Sequence, residues 1–189
     1  MDNKIVGFPE FKTKKVLLRR FTAADLENVF RGLSDPDVIE FYGVHYDSPE
    51  ATKKQLAWFE EIENNGTGIW WALSSLDHSK FYGAVGIYFL NKTHKKAEIG
   101  FWLLPEFWGK GLMVEIMPFV LEFGFSRMNL RRLECFVESE NTKSRKLMGK
   151  LNFIYEGTMK DCEIKNGKYI SLDIYAKFNL SEASFPPNA

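Results

Sequence analysis

Two glycines separated by one residue, Gly109 and Gly111, constrain this chain most, because they stand where a strand-like run gives way to an amphipathic run over residues 112–125. Glycine adopts positive φ at little steric cost, so a turn of this kind can point several main-chain N–H groups toward one place. A helix that begins there adds its own unsatisfied N–H groups and the positive end of its dipole. The pattern predicts an anion site in which the main chain binds phosphate oxygens and Lys110 assists from the rim. The alternative is that this strand-to-helix turn uses glycine for steric reasons alone.

Composition limits the class of protein. The 189 residues are 45% hydrophobic, so we expect one domain over residues 1–180 and a loose tail over residues 181–189. The charges balance, with 25 Lys+Arg against 25 Asp+Glu, so no overall field attracts nucleic acid or an acidic membrane surface. Neither Cys135 nor Cys162 has a Cys or His at ligand spacing, and we therefore expect no metal. No run approaches the roughly 20 apolar residues that span a bilayer, so we expect a cytoplasmic protein with no membrane partner.

The order of the predicted elements excludes the common nucleotide-binding folds. Hydrophobic periodicity predicts helices over residues 23–33, 49–65, 112–127 and 142–150, and strands over residues 16–21, 69–76, 81–90, 96–104 and 133–138. Two final strands flank Asn166-Gly167, the strongest short hairpin signal. The strands before the glycine loop form an antiparallel meander, and no third glycine follows, so this is not a Rossmann unit. The triphosphate-binding pattern G-x-x-x-x-G-K-[ST] is also missing from the sequence.

Three motifs, in order, identify a family. They are Ala97-Glu98-Ile99-Gly100-Phe101-Trp102-Leu103, Trp108-Gly109-Lys110-Gly111 with Glu115 behind it, and Asn141-Thr142-Lys143-Ser144-Arg145. With these motifs the chain resembles the GNAT superfamily of acyl-CoA-dependent N-acetyltransferases and, within it, the RimJ/RimL-like branch. The resemblance extends from Leu17-Leu18-Arg19-Arg20-Phe21 to Tyr175. It implies an α+β fold with a central, mostly antiparallel mixed sheet of about seven strands, splayed in the middle and flanked by about four helices.

The resemblance also implies where acetyl-CoA binds as co-substrate. The pyrophosphate is expected on the main-chain N–H groups of Trp108, Gly109, Lys110, Gly111, Leu112 and Met113, although the side chain of Met113 is expected to crowd it. The pantetheine arm is expected between the strand that ends at Leu103 and Leu104 and the strand over residues 133–138. A main-chain N–H near Leu104 is expected to stabilise the thioester oxygen. Asn141 and Ser144 are expected near the pantetheine and the sulfur, although Asn141 also fits a helix N-cap.

An amine acceptor must lose a proton before it attacks a thioester, so a base is needed. Glu98 matches the family's carboxylate position and shares a strand face with Gly100 and Trp102. Its alternatives are a water relay or Glu138, and an exposed strand glutamate without a catalytic role is the other interpretation. The tyrosine frequent on the family's second helix is Met148 here, which leaves Ser144 or Tyr155 as the acid.

The acceptor site is less well defined by the sequence. The implied fold surrounds the acceptor with the segment 41–46, the helix around Trp58 and the hairpin near Asn166. Aromatic residues are expected to surround an apolar or cationic amine there, principally Tyr42, Trp58 and Trp71, with Trp70 and Tyr155 as further candidates. Glu60, Glu61 or Asp173 would supply a counter-charge. Most of these rings are equally consistent with an ordinary hydrophobic core.

Three functional hypotheses remain open at this point. The first is a direct N-acetyltransferase that acts on a protein N-terminus or a small amine. The second is a catalytically inert acyl-CoA-binding regulatory module, suggested by Met113 and Met148, and the third is an unrelated phosphate-binding protein. A homodimer formed through an edge strand of the closing hairpin is also consistent with the sequence.

Overall fold

The computed structural model describes residues 7–180, so the predicted loose tail over residues 181–189 lies outside the described part. The described residues form eight β-strands and five α-helices, which confirms the mixed α/β fold class. Two compact units are distinguished by their internal contacts. Unit one comprises the chain up to Phe89 together with Ile99–Val120, and unit two comprises Leu90–Glu98 and the chain from Leu121 onward.

Unit one contains the meander that the sequence predicts. Neighbouring strands follow in the order β1 (Phe11–Lys12), β2 (Leu17–Arg19), β3 (Ile69–Ser74), β4 (Phe81–Asn91) and β5 (Lys96–Leu103), of which the last two continue into unit two. The helices are α1 (Leu26–Leu33), α2 (Pro36–Ile39), α3 (Pro49–Asn64) and the first part of α4 (Leu112–Glu122). Strand β1 and helix α2 were not predicted, because elements of two and four residues carry almost no periodic signal.

Local capping explains where the helices of unit one begin. Ser48 Oγ accepts a hydrogen bond from Ala51 N–H at 3.2 Å, as the Ser-Pro-Glu start of α3 predicts. Asp25, 3% exposed, accepts from Thr22 N–H at 2.8 Å and forms a bidentate ion pair with Arg19. This pair joins the end of β2 to the start of α1.

The main core of unit one lies on the face of β3 that carries Trp70. Helices α1, α2 and α3 contribute residues such as Leu33, Val38 and Phe59, and the strands contribute Trp70, Phe81 and Trp102. Gly32 lies so close to Trp102 that a Cβ there would come within 2.1 Å of Cζ3. Because strand residues alternate, Trp71 lies on the opposite face, where Phe8 and Phe11 pack against it.

Unit two contains the second half of the strand order. The first residues of β5, Lys96–Glu98, pair in parallel with Arg132–Glu134 of β6 (Arg132–Glu138). Strand β6 pairs antiparallel with β8 (Lys168–Phe178), which pairs antiparallel with the edge strand β7 (Ile154–Lys165). The β7–β8 turn has positive φ at Asn166 and Gly167, 52° and 74°, which confirms the predicted hairpin. Helix α5 (Thr142–Lys150) matches its predicted bounds.

The helix predicted to reach residue 127 ends earlier. Helix α4 stops at Glu122 and continues as one π-helical turn, Phe123–Arg127, closed by Met128 N–H donating to Phe123 O at 3.1 Å. No helix among residues 7–180 is both long and apolar enough to cross a bilayer.

Candidate functional site

The glycine loop lies between β5 and α4 in unit one. One 3-10 turn, Pro105–Phe107, follows β5, and then Gly109 and Gly111 adopt φ of 71° and 77°. A Cβ at either glycine would meet no heavy atom within 4 Å. The left-handed backbone therefore requires glycine here, and crowding does not, which rules out close packing as the steric reason for the two glycines.

Main-chain N–H groups of this loop are unpaired. Trp108 N–H donates to Pro105 O at 3.1 Å, and Glu115 N–H donates to Gly111 O at 3.0 Å. Between them, within the part of the chain that the structure describes, the amides of residues 109–114 donate to no acceptor. Exposed loop residues at 109–111 give solvent access to the start of α4. A run of six unpaired donors at a helix N-terminus can bind a diphosphate.

Three side chains shape this loop. Trp108 Nε1 donates to Leu103 O at 2.8 Å and so ties the loop to the end of β5. Lys110 Nζ lies 5.2 Å from the centroid of the Phe107 ring, at the rim. Met113 is 5% exposed and packs into the core, which corrects the expectation that its side chain crowds a diphosphate.

At the end of β5, one main-chain N–H group already has an acceptor. Leu104 N–H donates to Tyr82 O at 2.9 Å, so this amide is not available as the predicted donor to a thioester oxygen. Consecutive N–H groups of extended chain point to opposite edges, so the amide of Leu103 faces away from the edge that Leu104 uses.

Glu98 lies in unit two, at the last pair of the β5–β6 ladder, where it stands opposite Glu134. Its side chain is half-buried, and Glu134 is neutralised by Lys96 Nζ at 3.1 Å and Arg132 Nε at 2.8 Å. Burial, together with the charge of Glu98, raises the pKa of the Cys135 thiol to about 12. Cys135 is therefore a neutral thiol near pH 7 and a poor nucleophile.

The alternative base, Glu138, is already paired. Lys165 Nζ lies 2.5 Å from Glu138 Oε1, and both side chains are largely buried. Glu98 also takes part in an interaction, so pairing by itself does not distinguish the two carboxylates.

Asn141 and Ser144 meet at the start of α5. Asn141 Oδ1 accepts from Ser144 N–H at 3.0 Å, which confirms the N-cap interpretation of Asn141. The cap uses only the side-chain oxygen of Asn141 and leaves its NH₂ group as a donor. Met148 is fully buried in the same helix, as a core residue.

Tyr155 is 52% exposed at the start of β7, and its hydroxyl lies 2.7 Å from Thr158 Oγ1. Thr158 in turn donates to Asp173 Oδ1 at 2.6 Å. Asp173 is 2% exposed and ion-paired with Arg145 at 2.9 Å, so it is not the accessible counter-charge that the sequence suggested. Burial alone would raise the pKa of Asp173, but hydrogen bonds from Thr158 and Ser139 and the charge of Arg145 hold that pKa below its usual value.

Two of the three predicted acceptor-site rings come together. Tyr42 and Trp58 are half-buried against the Trp70 core, and Trp58 lies 6.0 Å from both Trp70 and Tyr88, centroid to centroid. Burial, with smaller contributions from Tyr88 and Tyr46, raises the pKa of Tyr42, so its phenol is neutral. Trp71 does not join them: it is fully buried, and its Nε1 donates to Pro9 O at 2.7 Å. Trp71 is therefore a core residue with no surface for an acceptor.

Sequence reasoning gave no role to Thr158, Arg145 or Tyr88. A Cβ at Gly100 would lie 3.0 Å from Tyr88 Cε1, so the glycine predicted beside Glu98 makes room for this ring. Strand alternation in β4 would have found Tyr88, whereas Thr158 and Arg145 depend on long-range pairing. In the described part of the chain, no group of three or more His, Cys, Asp or Glu side chains could hold a metal ion.

Comparison with known proteins identifies relatives over most of the chain. A family model described as an acetyltransferase (GNAT) domain matches residues 15–154. The N-acetyltransferase YoaA of Bacillus subtilis, itself uncharacterised, is 29% identical over 170 residues, which cover 89% of this chain and 96% of YoaA. A spermidine N(1)-acetyltransferase of Escherichia coli is 32% identical over 107 residues, 55% of this chain and 58% of that enzyme.

Solved structures share the fold. RimL, a ribosomal L7/L12 α-N-protein acetyltransferase in complex with coenzyme A, superposes with a TM-score of 0.81 at 20% identity over 90% of this chain and 98% of RimL. A spermidine N-acetyltransferase from Vibrio cholerae, in complex with CoA and spermine, superposes with a TM-score of 0.77 at 19% identity over 88% of this chain and 96% of its own.

Proposed function

Because the chain belongs to the acetyltransferase (GNAT) family, we propose that it transfers the acetyl group of acetyl-CoA directly to a primary amine. The main support for this proposal is the run of unpaired amides over residues 109–114, because a diphosphate can bind to several main-chain N–H groups at once. The CoA-bound relatives of the same fold support the choice of acetyl-CoA over other phosphate esters.

The chain's own residues fit this ligand, whose thioester supplies the activated acetyl group. The loop from Trp108 to Met113 would bind the diphosphate, with Lys110 at its rim. Leu103 N–H would face the thioester oxygen, and the NH₂ group of Asn141 would donate to a pantetheine carbonyl. Ser144, fixed by its capped N–H, is our candidate acid for the departing thiolate.

Glu98 is our candidate base, acting directly or through water. Its half-buried position beside the ladder end suits a carboxylate that must take a proton from an ammonium group. The neutral, buried Cys135 supports direct transfer without an acyl-enzyme.

Glu98→Gln tests this base. The isosteric amide cannot accept a proton, so we expect kcat/KM near pH 7 to fall about 100-fold or more, within the range of general-base catalysis, while CoA affinity stays unchanged. Activity would be followed as release of free thiol across pH 6–9.5. The control variant is Glu134→Gln, which changes the glutamate that stands opposite Glu98 on the neighbouring strand. Full activity of Glu98→Gln across this range would remove Glu98 from the mechanism.

The acceptor is proposed to be either a protein N-terminus or a polyamine-like amine. Relatives named for spermidine and for a ribosomal-protein serine support these two classes. The half-buried rings of Tyr42 and Trp58 suit a cationic amine. A panel of spermidine, spermine and peptides with N-terminal serine or alanine would distinguish the classes by kcat/KM. CoA binding without turnover on any amine would instead favour the inert regulatory module.

A further inference from the structure

A chain of short hydrogen bonds connects the exposed Tyr155 hydroxyl to a buried carboxylate. Tyr155 Oη lies 2.7 Å from Thr158 Oγ1, and Thr158 Oγ1 lies 2.6 Å from Asp173 Oδ1. Ser139 Oγ donates to the same carboxylate oxygen at 2.7 Å, and Arg145 pairs with the other. Asp173 and Thr158 are register partners in the β7–β8 ladder, so the sheet itself holds this series of hydrogen bonds in place.

Counting protons fixes the direction of every bond in this chain. A carboxylate has no proton to give, so Thr158 must donate its only hydroxyl proton to Asp173. Thr158 can then only accept from Tyr155, and Tyr155 must donate its phenolic proton inward. The lowered pKa of Asp173 keeps the carboxyl group ionised at neutral pH and so maintains this order.

We propose that Thr158 and Asp173 are positioning residues that make Tyr155 donate its phenolic proton to Thr158. The exposed phenolic oxygen then acts as a hydrogen-bond acceptor for an N–H of the amine substrate. This rests on the proposed acetyltransferase function. It also reassigns Tyr155, which the sequence offered as an acid: a phenol whose proton is already committed cannot protonate a leaving thiolate without breaking the chain. Tyr155 selects and orients the amine, and Ser144 remains the candidate acid.

The neighbourhood of Tyr155 suits this role. The ring of Tyr175 packs 5.5 Å from that of Tyr155 and lines an open depression of about 330 Å³ with Thr142, Arg145 and Lys146. Arg145 is held against Asp173 and Tyr175, which compensates the buried negative charge. Asp173 is therefore shielded from solvent, and the Tyr155 hydroxyl is the exposed end of this series of hydrogen bonds.

Steady-state kinetics test the assignment with four variants. Tyr155→Phe and Thr158→Val should each raise KM for the amine about tenfold, the effect of one lost hydrogen bond, with KM for acetyl-CoA unchanged. Thr158→Ser should restore the wild-type value. Ser139→Ala is the matched control, because it removes a hydrogen bond to the same Asp173 oxygen without contacting Tyr155, and it should leave KM for the amine unchanged.

A double-mutant cycle separates positioning from general structural damage. Thr158→Val should add nothing in the Tyr155→Phe background if Thr158 acts through Tyr155. Full additivity, or a fall in kcat with KM for the amine unchanged in Tyr155→Phe, would overturn the proposal.

A spectroscopic measurement keeps the test independent of turnover. In protein labelled with [¹³Cζ]tyrosine, the Tyr155 signal, identified by its loss in Tyr155→Phe, should move in Thr158→Val and not in Ser139→Ala. It should also move when spermidine or a peptide with N-terminal serine is added to the CoA-bound protein. A Tyr155 signal that does not move in Thr158→Val would overturn the inference even if amines are acetylated. A signal that responds as expected in a protein without turnover would count against the proposed function alone.

Discussion

Val114 offers a way to remove one main-chain donor from the predicted diphosphate site. It is the third residue of α4, its N–H is unpaired within the described part of the chain, and its side chain is 40% exposed. Proline is tolerated in the first helical turn, where the missing N–H has no intrahelical acceptor to lose. Val114→Pro should therefore keep the helix and delete a donor, whereas Val114→Ala keeps the donor and removes a similar part of the side chain.

The expected loss follows from the chemistry of the bond. A hydrogen bond to a charged group contributes about 1.5–3 kcal/mol, which corresponds to a roughly 10–150-fold weaker Kd for CoA. At a CoA concentration about 100 times the wild-type Kd, binding stabilises the folded protein by about 2.7 kcal/mol. A variant with about 30-fold weaker binding would gain only about 0.9 kcal/mol at that concentration.

Thermal unfolding with and without CoA measures this difference. For a chain of this size about 1 kcal/mol moves Tm by roughly 2–4 °C, so the CoA-induced shift should be about 5–11 °C in wild type and Val114→Ala and about 2–3 °C in Val114→Pro. The unliganded Tm of each variant shows what the backbone change costs by itself. Equal CoA-induced shifts in both variants would refute the claim that the α4 amides bind the diphosphate.

Two further predictions concern the packing and the charges of unit one. Gly32→Ala would place a Cβ 2.1 Å from Trp102 Cζ3, so we expect overpacking to cost about 1–3 kcal/mol, seen as a lower urea midpoint with an unchanged m-value; an unchanged midpoint would show that Trp102 can move aside. Burial opposes ionisation of Asp25, yet Arg19 and Thr22 hold its pKa below the usual value, so its stabilising effect is present above the unfolded pKa of about 4 and is lost as pH falls through the folded pKa. Asp25→Asn should therefore lower the free energy of unfolding at pH 7 by about 1–3 kcal/mol and make it depend less steeply on pH below about pH 4, measured by urea unfolding from pH 2 to 7. A pH dependence as steep as that of wild type would show that another group is responsible.

Much of the candidate site could be predicted from short stretches of sequence. The left-handed glycines, the Asn141 cap and the Asn166-Gly167 turn depend on residues within about four positions of each other, and each was found where the local rule puts it. Strand alternation likewise placed Glu98 on the face of Gly100.

Long-range packing decided the remainder. Adjacent tryptophans are indistinguishable in sequence, and only the elements packed on each face put Trp70 in the main core beside Trp58 and Trp71 on the opposite face against Phe8 and Phe11. The same holds for Met113, whose side chain turns into the core.

The hydrogen bonds from Tyr155 through Thr158 to Asp173 could not be predicted from local sequence. Counting back from the Asn-Gly turn without irregularity would put Asp173 opposite Lys160, but register shifts between Met159 and Glu163 bring Thr158 there instead. The shift amounts to two residues, which keeps the strand face but changes the residue that stands opposite Asp173, so this irregularity decides which side chain can donate to the buried carboxylate. The sequence by itself determined the glycine loop, the helix caps and the strand faces, because these obey local rules. Tertiary structure alone decided which hydroxyl reaches Asp173 and hence the direction in which Tyr155 gives its proton, because that depends on residues brought together across the sheet.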